Sequence, residues 1–471
     1  CEFSYSPSTS LNFYFWQSTT SQGAFSNITI VENSFHHMYD AGITIVSWPT
    51  DGDTDANKDA YLYTTDVTIS DNVFYDAWTD ERDADGTTPE KAPGVILNRV
   101  LHCLAEKNSF IRMAGSGLWS TQTYDLNFTT NFVAYSRRVT DSCLNHVDIQ
   151  NDDSIFEYNI GYKNEGGFFE SMGYSDNIIV RYCLSIDAGQ EDMGDGERDH
   201  HANTVFLTGY AGDGERMGPS NITLHNNLVI STNGSNQYYR YINDPRNILF
   251  ANNEFILGGG GVMEQLSEVG TNYEQAEVVA VSNLIGGNSD SIDAWEVMHD
   301  VSKPGYTGET SADMYAALYN DVMTTYLDET EPSDLSYDEI RTRLCAVNDY
   351  TPVTELKTGM SKVALAADSD LCGRDVSTGD FIGAIRYTEV HGPTVSPTYS
   401  VAPSAKPTMV PTTTPICMSW CASNPTSWNT KCSWVKICGG CDSCSSYDDD
   451  DDSGSSVNTA STGIVMGSVV A

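Results

Sequence analysis

Nine times within the first 290 residues, a short run of apolar residues spaced two apart ends at one recurring polar position. That position is Asn33, Asn72, Asn108, Asn131, Asn159, Cys183, Asn227, Asn253 and Asn283. In seven of the nine repeats an Asn or Asp stands six residues earlier: Asn27, Asp66, Asp125, Asp153, Asn177, Asn221 and Asn247. Between the two lie pairs such as Ile28/Ile30, Val67/Ile69, Ile222/Leu224 and Ile248/Phe250. Alternation of this length is a half-buried strand, too short for an amphipathic helix. The intervals between successive ladder positions are 39, 36, 23, 28, 24, 44, 26 and 30 residues. A minimum near 23 with irregular excess describes a coil of fixed circumference that carries loop insertions.

Stacked at that period, parallel strands form a right-handed parallel β-helix, an all-β solenoid. The recurring Asn sits at an inward turn, where its amide can bond to the Asn above and below. Nine coils at about 4.8 Å predict a rod on the order of 40 Å long. A β-sandwich, with strands every 8–12 residues, would not place one Asn at one phase of each repeat. The longest intervals put insertions at residues 48–63, 79–94 and 190–220, and insertions in solenoids gather on one face, often the binding face.

The chain divides by pattern. Residues 1–290 form the β-helix. Residues 291–387 are a helical excursion and closing coil: Ala312–Leu327 and Tyr337–Val347 have helical spacing, and the segment is expected to cover the open end. Cys345 and Cys372 flank it and are candidates for a disulfide. Residues 388–416 are a Pro/Thr/Ser-rich linker. Residues 417–447 hold six cysteines and read as a disulfide-stapled module. Residues 448–471 are an acidic tail ending in small and apolar residues, which fits a disordered tail or the start of a membrane or lipid anchor.

A net charge of −41, of which the Asp448–Asp452 run supplies only five, repels phosphate backbones and argues against a nucleic-acid partner. Twelve cysteines and sequons at Asn27, Asn127, Asn221 and Asn233 point to the secretory pathway and an extracellular or cell-surface location. A monomer is expected.

Counting back from the ladder stacks His146 against Glu170, each thirteen residues before its ladder residue, with Asp148 two residues along on the same face. A His beside two carboxylates on a rigid sheet suits acid/base chemistry, and a solvated polar ladder is the competing reading. Tyr135, Lys163 and Asp187 share a second phase, four past the ladder; Arg137 and Glu165 share a third, and Arg138 and Arg181 add charge nearby. Lys163 and Arg137 are candidate catalytic cations, and Tyr135, Arg138 and Arg181 candidate substrate contacts. Surface ion pairing would explain the same cations. Glycoside hydrolysis instead needs two carboxyls, which Asp148 and Glu170, with Asp152 or Asp153, could supply.

Asp51, Asp53, Asp55, Asn57 and Asp59 put oxygen side chains at alternate positions, the pattern of half a calcium loop, so Ca2+ is the candidate cofactor. Leu62 stands where a bidentate Glu would close an EF-hand. Trp420, Trp428 and Trp434 in the Cys-rich module could stack on sugar rings or form its mini-core.

With the ladder and the segments YNIGYKNEGGFFE, IIVRYCLSIDAG and GDFIGAIRY, residues 20–290 and the closing coil resemble the pectin-lyase-like family of right-handed parallel β-helix proteins. Cys183 departs from its ladder. The linker and Cys/Trp module resemble the tails of secreted microalgal wall proteins. The resemblance implies an extracellular polysaccharide as substrate, cleaved by β-elimination, in which a Lys or Arg acts as base, or by glycoside hydrolysis. A non-catalytic glycan-binding adhesin or wall protein is the rival.

Overall fold

The computed structural model describes residues 1–4, 10–17, 25–38, 40–49, 63–77, 92–136, 142–189, 203–209, 218–232, 237–242, 245–258, 263–267, 278–281, 283–286, 305–307, 309–347, 369–374 and 384. They form a parallel β-solenoid with three faces. Face A is an eleven-stranded sheet running from Glu2–Ser4 to Gly305–Thr307, and face C a nine-stranded sheet from Ser26–Val31 to Val278–Val281. Face B is split into a four-stranded block, Leu11–Gln17 to Leu118–Thr121, and a five-stranded block, Asn145–Val147 to Met263–Ser267. Each coil visits A, B and C in turn, and within each sheet a strand pairs in parallel with its counterpart in the next coil, as Ile155 with Ile179.

All nine predicted ladder residues occupy the junction from face C to face A. The backbone N–H and Nδ2 of Asn72 both donate to Asn108 Oδ1, at 3.1 and 3.0 Å. Its Nδ2 also reaches the carbonyls of Ile30 and Ser70. The same geometry recurs from Asn33 to Asn159 and from Asn227 to Asn283. Here the amide closes a turn whose backbone groups would otherwise be buried unpaired. At the break, the Asn159 Nδ2 donates to Asn145 Oδ1 at 3.1 Å, and the Cys183 N–H rejoins the ladder on Asn227 Oδ1.

The Asn and Asp residues six before the ladder have a separate cause. Asn27, Asp66, His102, Asp125, Asp153, Asn177, Asn221 and Asn247 all have φ between 52° and 59°. This left-handed conformation bends the face C strand, and Asn and Asp tolerate it better than other side chains. The residue before each ladder position from Asn33 to Asn253, and the one four beyond it from Asn33 to Cys183, are left-handed as well, among them Glu32, Tyr158, Tyr135 and Lys163.

Inside, face C alternates apolar residues inward, and phenylalanines of successive face A strands stack. Phe3, Phe35, Phe74 and Phe110 have ring centroids 4.8 Å apart at each step, the coil spacing itself. The stack leans on Gly94, where an added Cβ would lie 2.3 Å from the Phe110 ring.

Helices α1 (Glu309–Glu329) and α2 (Tyr337–Val347) lie along the flank of the solenoid, not across its end as expected from the sequence. Tyr319, Met323, Tyr326, Tyr337, Ile340 and Leu344 pack on the outward side chains of face A, from Ile111 to Ile256. The reason is visible in those strands: Phe132–Ala134, Ile160–Tyr162 and Leu184–Ile186 are buried on both faces, so their outer row needs a cover. Tyr337 Oη donates to the Tyr158 carbonyl at 2.5 Å, and Tyr162 Oη to Asn320 Oδ1 at 2.7 Å. The Cys345–Cys372 disulfide is formed, with Cα atoms 5.7 Å apart. Most of the closing coil, the linker, the Cys/Trp module and the tail lie outside the described residues.

Candidate functional site

The split in face B positions the site. Between the two blocks, Asp148 N–H donates to the Ser120 carbonyl at 3.0 Å, and Gln122 N–H to the Ile149 carbonyl at 2.8 Å. This is one residue out of regular register, a bulge at Asp148–Ile149. On the strand Asn145–Val147, Asn145 and Val147 point into the solenoid, to the Asn159 amide and the apolar core respectively. His146 therefore points outward.

His146 and Glu170 are register partners on adjacent coils, the stacking expected from counting. Asp148 joins them through Trp119. The indole Nε1 donates to Asp148 Oδ2 at 2.5 Å, and the Trp119 and His146 rings lie 6.5 Å apart. Cys143 Sγ lies 3.4 Å from Glu170 Oε2. It is brought there by a close backbone approach: a Cβ on Gly166 would meet the Ser142 backbone at 2.6 Å. Outward side chains on a solenoid face are normally wet, yet His146 is 1% exposed, and Asp148 and Glu170 are each 6% exposed. Two carboxyls and an imidazole are thus withdrawn from water beside a half-buried indole. Burial of this kind strengthens the electrostatic interactions among them. Trp119 and Cys143 were not singled out by sequence; the only signal for Trp119 was its position one coil before His146.

The other predicted residues fall elsewhere. Lys163 shares the left-handed conformation of Tyr135 and Asp187, and its Nζ sits 5.1 Å over the Tyr162 ring on the helix-covered side. Asp187 caps the turn at Thr232, accepting from its N–H and Oγ1 at 2.7 Å each. Arg181 pairs with Glu157 on face C at 2.6 Å. Tyr135 lines a cleft between face A and the end of α1. Burial, with Tyr162 and Asp328 adding to it, raises its phenol to about 12, so the hydroxyl is a donor across the neutral range. Arg137, Arg138, the loop Asp51, Asp53, Asp55, Asn57 and Asp59, and Trp420, Trp428 and Trp434 lie outside the described residues. Among the described residues no group of three His, Cys, Asp or Glu is placed to hold a metal ion.

A second carboxyl pair lies where face B turns into face C. Asp152 and Asp176 are register partners, and the Asp176 N–H donates to Asp152 Oδ1 at 3.1 Å. Burial, then the negative charges of Asp176 and Asp153, push the Asp152 carboxyl up to about 8. Asp176 Oδ1 accepts from Ser220 Oγ and Asn221 Nδ2, both at 2.6 Å. Between this pair and the His146 group runs a row of amides along the corner: Arg99 Nε donates to Gln122 Oε1, whose Nε2 donates to Gln150 Oε1.

No protein-family model matches the chain, and no curated protein matches it. Function therefore rests on the site itself.

Proposed function

We propose that this is a secreted or cell-surface protein of the pectin-lyase-like, right-handed β-helix class that cleaves an extracellular polysaccharide. The right-handed coil follows from the strong preference of parallel crossover connections for that hand. The observation that carries the functional reading is the burial of His146, Asp148 and Glu170 on the outward side of face B, next to Trp119. A cluster of ionisable groups held dry at outward positions is a recurring mark of catalytic carboxyls.

The donor set favours hydrolysis over β-elimination. Asp148 and Glu170 supply the two carboxyls that glycoside hydrolysis needs, one to protonate the leaving oxygen and the other to act as nucleophile or base. His146, in register with Glu170, is placed to hold or relay the proton. Of the two candidate elimination bases, Lys163 is directed at Tyr162 instead, and Arg137 lies outside the described residues. Trp119 presents a flat apolar edge for a sugar ring while fixing Asp148. The disulfide fits an oxidising compartment.

The non-catalytic reading draws on the same burial, because three groups so deep could equally be a sealed polar cluster filling the split in face B. Incubating the full chain with a broad panel of algal and plant polysaccharides separates the two. Hydrolysis gives new reducing ends without the absorbance of an unsaturated uronate. No turnover on any substrate would sink the enzyme reading.

A further inference from the structure

Where face A hands over to face B, a cleft of about 460 Å³ opens between the ends of strands Ser109–Met113 and Phe132–Ala134 and the turn after α1. Its volume is in the range of small-molecule sites. Tyr135 and Arg112 line one wall, and Leu327, Asp328, Glu331 and Leu335 are among those lining the other. Tyr135 and Arg112 are both left-handed, φ 55° and 56°.

Three properties decide what the cleft can take. Tyr135 is half-buried, with its ring edge-on to Tyr162 at 5.4 Å, so it is held rigidly. Arg112 is the basic residue among the lining, and Asp76 holds its guanidinium through two bonds, Nε to Oδ1 and Nη2 to Oδ2 at 3.0 Å. Its charge is therefore already compensated. Asp328, Glu329 and Glu331 crowd the C-terminal end of α1, where the helix dipole is itself negative and no basic residue occupies the last turn. The cleft thus combines a fixed aromatic ring, apolar patches at Leu327 and Leu335, and hydrogen-bond acceptors in a negative field.

We infer that this cleft is a saccharide subsite for uncharged pyranose rings, and that it rejects uronates. A pyranose offers an apolar CH face for Tyr135 and hydroxyl donors for the carboxylates. A uronate carboxylate would meet like charges with no unengaged cation to neutralise it among the described lining residues. The inference rests on the reading that the ligand is a polysaccharide, and it selects neutral glycans within that class. The face A strand Phe132–Ala134 beside Tyr135 is followed in chain order by the face B strand that carries His146, so the subsite and the proposed centre belong to successive sides of one coil.

The test is binding to the full chain, measured by calorimetry and saturation-transfer NMR with cellotetraose, mannotetraose and tetragalacturonate. At least one neutral tetrasaccharide should bind, and tetragalacturonate should not. Tyr135→Asn keeps a residue suited to the left-handed backbone while deleting the ring, and should weaken neutral binding about tenfold. The double variant Asp328→Lys/Glu331→Lys should admit tetragalacturonate, a gain that misfolding cannot produce. Binding of tetragalacturonate by the unmodified chain as tightly as the neutral sugars overturns the inference. So does the absence of binding by either neutral sugar, or an affinity unchanged in Tyr135→Asn. Because binding is read independently of turnover, Asp148→Asn or Glu170→Gln could abolish cleavage and leave these results intact.

Discussion

Asn108→Ala tests the ladder at a fully buried rung. The Asn108 side chain is fully buried and makes four hydrogen bonds. Its Oδ1 accepts from the N–H and Nδ2 of Asn72 at 3.1 and 3.0 Å, and its Nδ2 donates to the Ile69 carbonyl at 2.9 Å and Asn131 Oδ1 at 3.0 Å. Truncation strands the Asn72 N–H in the interior, at about 1–3 kcal/mol. The three other lost bonds cost about 0.5–1.5 kcal/mol each, since Asn72 Nδ2 keeps the Ile30 and Ser70 carbonyls. The total is roughly 2.5–7.5 kcal/mol, at the high end for a single substitution. Asn27→Gly, at an exposed left-handed position, is the control and should stay within about 0.5 kcal/mol. Urea unfolding gives the overall change, and hydrogen exchange should show the loss centred on the coils of Asn72, Asn108 and Asn131, because solenoid coils couple to their nearest neighbours. A cost below about 1 kcal/mol, or exchange raised evenly along the chain, would refute the ladder as the source of coil stability.

Cys183→Asn should restore an oxygen acceptor to Asn159 and raise stability by about 1 kcal/mol, read as a higher melting temperature; a lower one would mean that the Asn145 relay is matched to the thiol. The raised Asp152 carboxyl makes a pH prediction with a definite sign. Its folded value of about 8 exceeds the unfolded value near 4, so its contribution is fully favourable below about pH 4 and is lost as pH rises to about 8. Asp152→Asn should therefore stabilise the protein at pH 8 and leave it unchanged at pH 3.5 in the same melts; an equal effect at both would contradict it. Reducing Cys345–Cys372, which are 27 residues apart, should cost about 3–4 kcal/mol of local stability and raise exchange at α2 while leaving the coils of Asn72 to Asn131 protected.

The solenoid was legible because its coil is a fixed physical length, so a ladder residue must return at one phase however long the intervening loops. Seven Asn and Asp residues at a second phase were visible too, but the strands' left-handed bend, which selects them, was not. His146 over Glu170 followed from the same count. What counting could not give was depth: an outward side chain is expected to be wet, and only the folded chain shows the three groups buried. The helices' place was hidden for a related reason. Leu184–Ile186 and Ile160–Tyr162 are buried on both faces, but runs of three residues are too short to distinguish double burial from chance. The cleft at Tyr135 joins segments nearly 200 residues apart, Tyr135 and Asp328, which no local pattern links.

The most direct test of the functional account is turnover by Glu170→Gln and Asp148→Asn compared with the unmodified chain on the best substrate of the polysaccharide panel. Both substitutions keep size and hydrogen-bonding shape, so folding, checked by circular dichroism, should be preserved. The account predicts that each lowers kcat by at least about a hundredfold with new reducing ends and no unsaturated product from the unmodified chain. Turnover within about twofold of the unmodified chain in either folded variant would contradict the placement of catalysis at the split in face B.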